Sequence, residues 1–135
     1  MHIPARVRDR SKRDAGFTLI ELVVVLAIIG ILVAAAIPLY LGSRMKAYKS
    51  EADHVLEEVK SLEWGYYEEH NAFATALSTL GFVAPASVNW SFSDPTATGT
   101  DVTMLAVGQT TSPVSGQTVS LILHSDGSGY TGATF

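Results

Sequence analysis

The hydrophobic pattern divides the chain into three stretches. From Leu22 to Leu41, twenty residues run without a charge. As a helix that run is about 30 Å long, close to the hydrocarbon thickness of a bilayer. From Arg44 to about His70 the pattern becomes amphipathic. Met45, Tyr48, Ala52, Val55, Val59, Leu62 and Tyr66 step by three or four, one stripe of a helix. Lys46, Lys49, Glu51, Asp53, Glu57, Glu58, Lys60 and Glu63 fall mostly off that stripe. Gly42-Ser43 interrupts the two patterns only weakly, so they predict one long, gently bent helix over about residues 17 to 70, roughly 80 Å at helical rise.

Beyond residue 70 the period shortens. "TALSTLGF" reads as a short helical turn ending at Gly81. Val88, Trp90 and Phe92 alternate with polar residues, 102–107 is a short apolar run, and Val119, Leu121 and Leu123 alternate again. Asp126-Gly127 predicts a tight turn into a last strand through Tyr130 toward Phe135. Residues 96–100 and 111–117 are polar, with Gly or Pro, and read as loops. The expected fold is α+β: a long N-terminal helix, apolar in its first half and amphipathic in its second, packed on an antiparallel sheet of about four strands.

Charge sharpens this picture. Residues 1 to 16 carry a net charge of +3, and residues 17 to 135 a net charge of −7. A basic head before an apolar run is held on the cytoplasmic side of a membrane. The acidic body lacks the clustered Lys and Arg of a nucleic-acid surface, so no direct nucleic-acid binding is expected. There is no cysteine, which excludes disulfides, thiol catalysis and Cys-ligated zinc.

Candidate chemistry is sparse. His2, His54, His70 and His124 are not spaced as metal ligands, and no nucleophile elbow or phosphate loop occurs. Asp126-Gly127-Ser128-Gly129 offers one acid where Ca²⁺ takes six to eight oxygens, so it reads as a turn. Asn89-Trp90-Ser91 is a glycosylation sequon by pattern, discounted because it falls in a predicted strand. Glu57-Glu58 and Glu68-Glu69 read as solvated helix faces, and Trp64, Tyr66 and Tyr67 as packing groups. No catalytic residue, metal or cofactor is expected, and the chain reads as no enzyme.

The unusual feature is Glu21, a carboxylate one step before the apolar run. On composition alone it is either an interfacial group favoured by the helix dipole or a group with a specific positive partner in the membrane plane. Gly16-Phe17-Thr18-Leu19-Ile20-Glu21-Leu22, followed by the apolar stretch with Pro38, resembles the N-terminus of the type IV pilin and pseudopilin family. The close match covers roughly residues 16 to 41. The resemblance implies that a prepilin peptidase cuts between Gly16 and Phe17 and methylates the new Phe17 amine. It implies that Glu21 guides assembly by pairing with the Phe17 amine of a neighbouring subunit; an intrachain pair at i, i+4 is the rival. Ala27, Gly30 and Ala34 to Ala36 allow close helix approach. Gly30 and Pro38 weaken or bend the helix, and residues 30 to 38 are expected to lose helicity in a filament.

The expected organisation is therefore a basic leader at 1–16 that is removed, a hydrophobic transmembrane and filament-core segment at 17–41, and an exported globular domain at 42–135. The implied function is a structural subunit of a type IV pilus-like filament. A pseudopilin of a type II secretion or DNA-uptake system is an alternative, and so is a soluble periplasmic domain released by a signal cut after Ala36. A third is an uncut membrane anchor. The implied partners are copies of the chain and other pilins, the peptidase, the inner-membrane assembly machinery and, before assembly, the membrane itself. The implied location is the inner membrane for the precursor, then an extracellular pilus or a periplasmic pseudopilus. Many pilins close their C-terminal region with a disulfide, which this chain cannot form; its last strands are expected to rely on ladder hydrogen bonds, on Tyr130 and Phe135 packing, or on filament neighbours.

Overall fold

The computed structural model describes residues 16–134. The basic leader up to residue 15 and the expected packing of Phe135 lie outside the described residues. Helix α1 spans Leu19–His70 without a break, and the chain divides into two compact units, Met1–Pro38 and Leu39–Phe135.

Within the first unit, Leu19 to Pro38 is helical and every described side chain is exposed. The helix runs through Gly30, and Pro38 lies inside it. Proline lacks the N–H that would bond the carbonyl four residues earlier, so the turn at Ala34 is one hydrogen bond short. The helix is long and apolar enough to cross a membrane.

In the second unit the amphipathic stripe becomes the core. Ala52, Leu56 and Val59 join Phe73, Trp90, Val102, Met104, Ala106, Val114, Val119, Leu121 and Leu123 in one buried cluster. Burying each of the larger of these stabilises the domain by about 1.5–3 kcal/mol before entropy is counted. Met45, Tyr48, Trp64 and Tyr67 lie partly buried against the cluster. The buried face is 52, 55, 56, 59 and 63. Leu62, expected on the stripe, is 37% exposed, and Glu63 takes the inward position. The helix ends at Asn71, whose φ of 51° reverses the chain, while its N–H donates to Tyr67 O at 2.8 Å. Asparagine tolerates this left-handed C-cap conformation better than most residues.

A 3₁₀ turn at Leu77–Leu80 follows, closed by Gly81 at φ 66°. The sheet comprises β1 (Trp90–Phe92), β2 (Thr96–Thr98), β3 (Asp101–Gly108), β4 (Thr118–His124) and β5 (Gly129–Ala133). All pairings are antiparallel, in the order β1-β3-β4-β5, with β2 also paired to β3. Alternation sets the register: Val102 faces Leu123, Met104 faces Leu121 and Ala106 faces Val119, and all six are buried. The sheet thus has five strands among the described residues, one more than the apolar alternation marks. The additional β2 falls in the predicted 96–100 loop, and Pro95, which has no N–H to offer a ladder, separates it from β1. Val88 lies before β1 and is 79% exposed rather than in the strand. Val114, in the predicted 111–117 loop, folds inward and is fully buried.

Candidate processing and assembly site

Gly16, Phe17 and Thr18 precede the helix, which begins at Leu19. Thr18 is its N-cap. The Thr18 carbonyl accepts the first helical bond from Leu22 N–H at 3.3 Å. Glu21 N–H donates to Thr18 Oγ1 at 3.3 Å. In return, Glu21 Oε2 accepts from Thr18 N–H at 2.9 Å and from Thr18 Oγ1–H at 2.8 Å. This is a reciprocal capping box. It satisfies helix-end donors that lipid could not satisfy.

In the uncut chain the structure gives Glu21 an intrachain partner. The partner is Thr18, not the i−4 residue Phe17, which in the uncut chain carries a peptide N–H rather than an amine. The signal was present as Thr-x-x-Glu, but the reading of Glu21 as a charge in need of a cation passed over it. Phe17, Ile20, Glu21, Val24 and Val25 line one shallow groove of about 370 Å³ along the helix start. Phe17 is 84% exposed. Gly30 lies on the open helix surface, where an added Cβ would meet nothing within 4 Å.

The other candidate groups are absorbed by the fold. Asp126 Oδ1 accepts from Ser128 N–H at 2.8 Å and Ser128 Oγ–H at 2.6 Å, and Gly127 takes φ 84°. The turn holds the Asp126 carboxyl below its usual range, first through the Ser128 hydroxyl and then through the Ser128 amide. His124 Nδ1 lies 2.6 Å from Asp101 Oδ1, joining the facing ends of β3 and β4. His70 Nδ1 contacts Tyr66 O at 3.0 Å, and its ring stacks on Tyr66 at 4.0 Å. Among the described residues no group of three or more His, Asp or Glu is placed to hold a metal ion. Asn89 of the sequon donates its amide to Glu51 Oε2 at 2.9 Å. Trp64 and Tyr67 stack at 5.9 Å, and Tyr67 and Phe73 at 4.5 Å, as packing groups should.

Sequence comparisons speak to the same N-terminal region. Residues 11–37 match a family model described as the prokaryotic N-terminal methylation motif. Over 77 residues the chain is 36% identical to the type IV major pilin protein PilA of Myxococcus xanthus, covering 57% of this chain and 35% of that protein. It is 42% identical over 72 residues to the type IV major pilin protein PilE1 of Neisseria gonorrhoeae, covering 53% and 44%. It is 38% identical over 80 residues to the type IV wide pilus major component PilA4 of Thermus thermophilus, covering 56% and 61%. The matched region spans less than two thirds of each relative's length. In its methylation motif, its 52-residue helix and the antiparallel sheet that follows, the chain is similar to type IV major pilins.

Proposed function

We propose that this chain is a structural subunit of a type IV pilus-like filament and not an enzyme. The observation that carries the reading is the helix start. The apolar helix begins two residues after the Gly16–Phe17 bond, and its first half shows apolar side chains on every face. A prepilin peptidase cuts between Gly16 and Phe17, where the chain is not helical, and methylates the Phe17 amine. The rival cut after Ala36 would fall inside unbroken helix.

Residues 17 to 41 span the inner membrane in the precursor and pack against copies of themselves, and against other pilins, in the filament. The Thr18 capping box keeps the Glu21 carboxylate hydrogen-bonded in the isolated subunit. In the filament Glu21 pairs with the Phe17 amine of a neighbour and sets axial register. Gly30 and Pro38 mark the stretch that loosens as the helices pack. Assembly draws on inner-membrane machinery, and the filament leaves the cell surface. The named relatives are pilus components, which supports a pilus over a periplasmic pseudopilus.

The test is the N-terminal mass of the protein recovered from membranes and from sheared surface material. A chain beginning at methylated Phe17, present in the sheared fraction, is expected. A chain beginning at Ile37, or one retaining Met1, would overturn the reading.

A further inference from the structure

The last two turns of α1 hold a side chain that the filament reading does not use. Glu63 is 0% exposed. Its Oε2 accepts from Ala74 N–H at 3.0 Å, and its Oε1 is buried with no hydrogen-bond partner. A buried carboxylate without a cation or a full set of donors is costly, and such a group takes up a proton instead.

Among the described residues no charged side chain contributes to the Glu63 shift, whose causes are burial and the Ala74 amide. On α1 the closest cation is Lys60, whose Nζ goes to Glu57 Oε2 at 3.0 Å; the other ionisable neighbours there are the phenols of Tyr66 and Tyr67. Across from it, residues 71–76 (Asn, Ala, Phe, Ala, Thr, Ala) carry no ionisable group. Among the described residues Glu63 is the one buried polar or charged side chain. Burial pushes the Glu63 carboxyl above its ordinary 4.5, opposed only by the Ala74 amide.

The Ala74 bond also has a mechanical role. It ties the segment leaving the helix back onto the helix. That segment turns at Asn71, buries Phe73 and Ala74, and carries the 3₁₀ turn. Leu77, Leu80 and Phe82 lean on the core from it. Further ties are the Asn71 N–H to Tyr67 O at 2.8 Å, the stack of Phe73 on Tyr67 at 4.5 Å, and the Leu77 N–H, which donates to Asp94 Oδ1 at 2.9 Å at the surface.

We propose that Glu63 and the Ala74 amide form a proton-dependent latch, in which the neutral carboxylic acid holds residues 71–82 docked and ionisation releases them. The docked state binds one proton more than the released state. Docking is therefore strongest below pH 4.5 and weakens as pH rises through the docked-state value.

The test is amide exchange at Phe73–Leu80 in the detergent-solubilised full chain, corrected for intrinsic rates, from pH 5 to pH 9. The opening constant should rise about tenfold per pH unit until the docked-state value is passed, then level off. Glu63→Gln, which keeps an acceptor for Ala74 without a charge, should stay docked and lose the pH dependence. A wild-type opening constant that ignores pH, or one whose pH dependence survives in Glu63→Gln, would overturn the latch. A carboxyl ¹³C titration of Glu63 in the wild-type chain gives an answer without any variant. A midpoint above 4.5 supports the latch, and one at or below 4.5 overturns it.

Discussion

The indole N–H of Trp90 donates to the main-chain carbonyl of Tyr48 at 2.9 Å, joining the first strand to the helix across 42 residues of sequence. Trp90 is also among the largest fully buried side chains. Trp90→Phe should keep most of the packing and lose that bond, destabilising the domain by about 1–2 kcal/mol. Trp90→Ala should cost about 3–5 kcal/mol. Urea unfolding followed by near-ultraviolet circular dichroism measures both, and equal losses for the two variants would remove the bond from the account.

Gly108 lies against the backbone of the 109–117 loop. An added Cβ there would sit 1.8 Å from the Val114 carbonyl oxygen, and main chain cannot swing aside as a long side chain can. Gly108→Ala should cost about 3 kcal/mol through overpacking. Gly30→Ala, in open space on the helix outside the globular unit, should raise local helix propensity and leave the domain's melt unchanged. Thermal melts should therefore fall for Gly108→Ala and not for Gly30→Ala.

Glu21→Ala should leave the globular domain folded and the leader still removed, while surface filaments fall to near zero. Thr18→Ala should cost about 1 kcal/mol of helix capping and keep the carboxylate available for a neighbour. Normal filament yield from Glu21→Ala would refute a register role for that carboxylate.

Gly16→Phe should block processing, since it places a bulky side chain beside the bond to be cut. Intact mass would then show the leader still attached. Recovery of a chain starting at Phe17 from this variant would show that the cut is elsewhere or tolerates bulk.

The β4–β5 turn predicts a small acid dependence of its own. The Asp126 carboxyl is held below 3.8 in the folded chain, so the folded state binds fewer protons there than the unfolded one. Its contribution is present above pH 3.8 and is lost as pH falls through the folded value. Asp126→Asn should remove that share of the acid sensitivity by lowering stability slightly at pH 7, where the contribution is present, and less at pH 3, where it is being lost. The effect is small, as expected for an exposed group. Unfolding midpoints at pH 7 and pH 3 measure it.

The long helix was legible because two unlike patterns met without a true breaker, and the central strands because inward and outward residues alternate cleanly in 102–107 and 119–123. Glu63 was not. Reading a stripe by apolar residues alone puts Leu62 inside, whereas helical geometry carries the face through 52, 56, 59 and 63. β2 was hidden because Thr96-Ala97-Thr98 has no apolar alternation; its pairing is imposed by Thr103, Val102 and Asp101 opposite. Val114 was hidden in a polar loop because a single apolar residue has no period. The capping box at Thr18 was written in four residues, but the charge of Glu21 drew the reading toward a cation. At the sheet's end, the expected packing role of Tyr130 is weak, since its side chain is 59% exposed; β5 is held by its five-residue ladder to β4.

The uncharged, apolar surface of Leu22 to Leu41 has a consequence for the economy of growth. In the proposed life of the subunit, lipid and the bundle of neighbouring helices are the two dry phases available to it. Moving between them leaves the water-exposed apolar area almost unchanged, so the hydrophobic effect contributes little to the transfer. What remains is side-chain packing and a few polar bonds, a small balance in either direction. Such a polymer can draw subunits from the bilayer as a reservoir and can give them back.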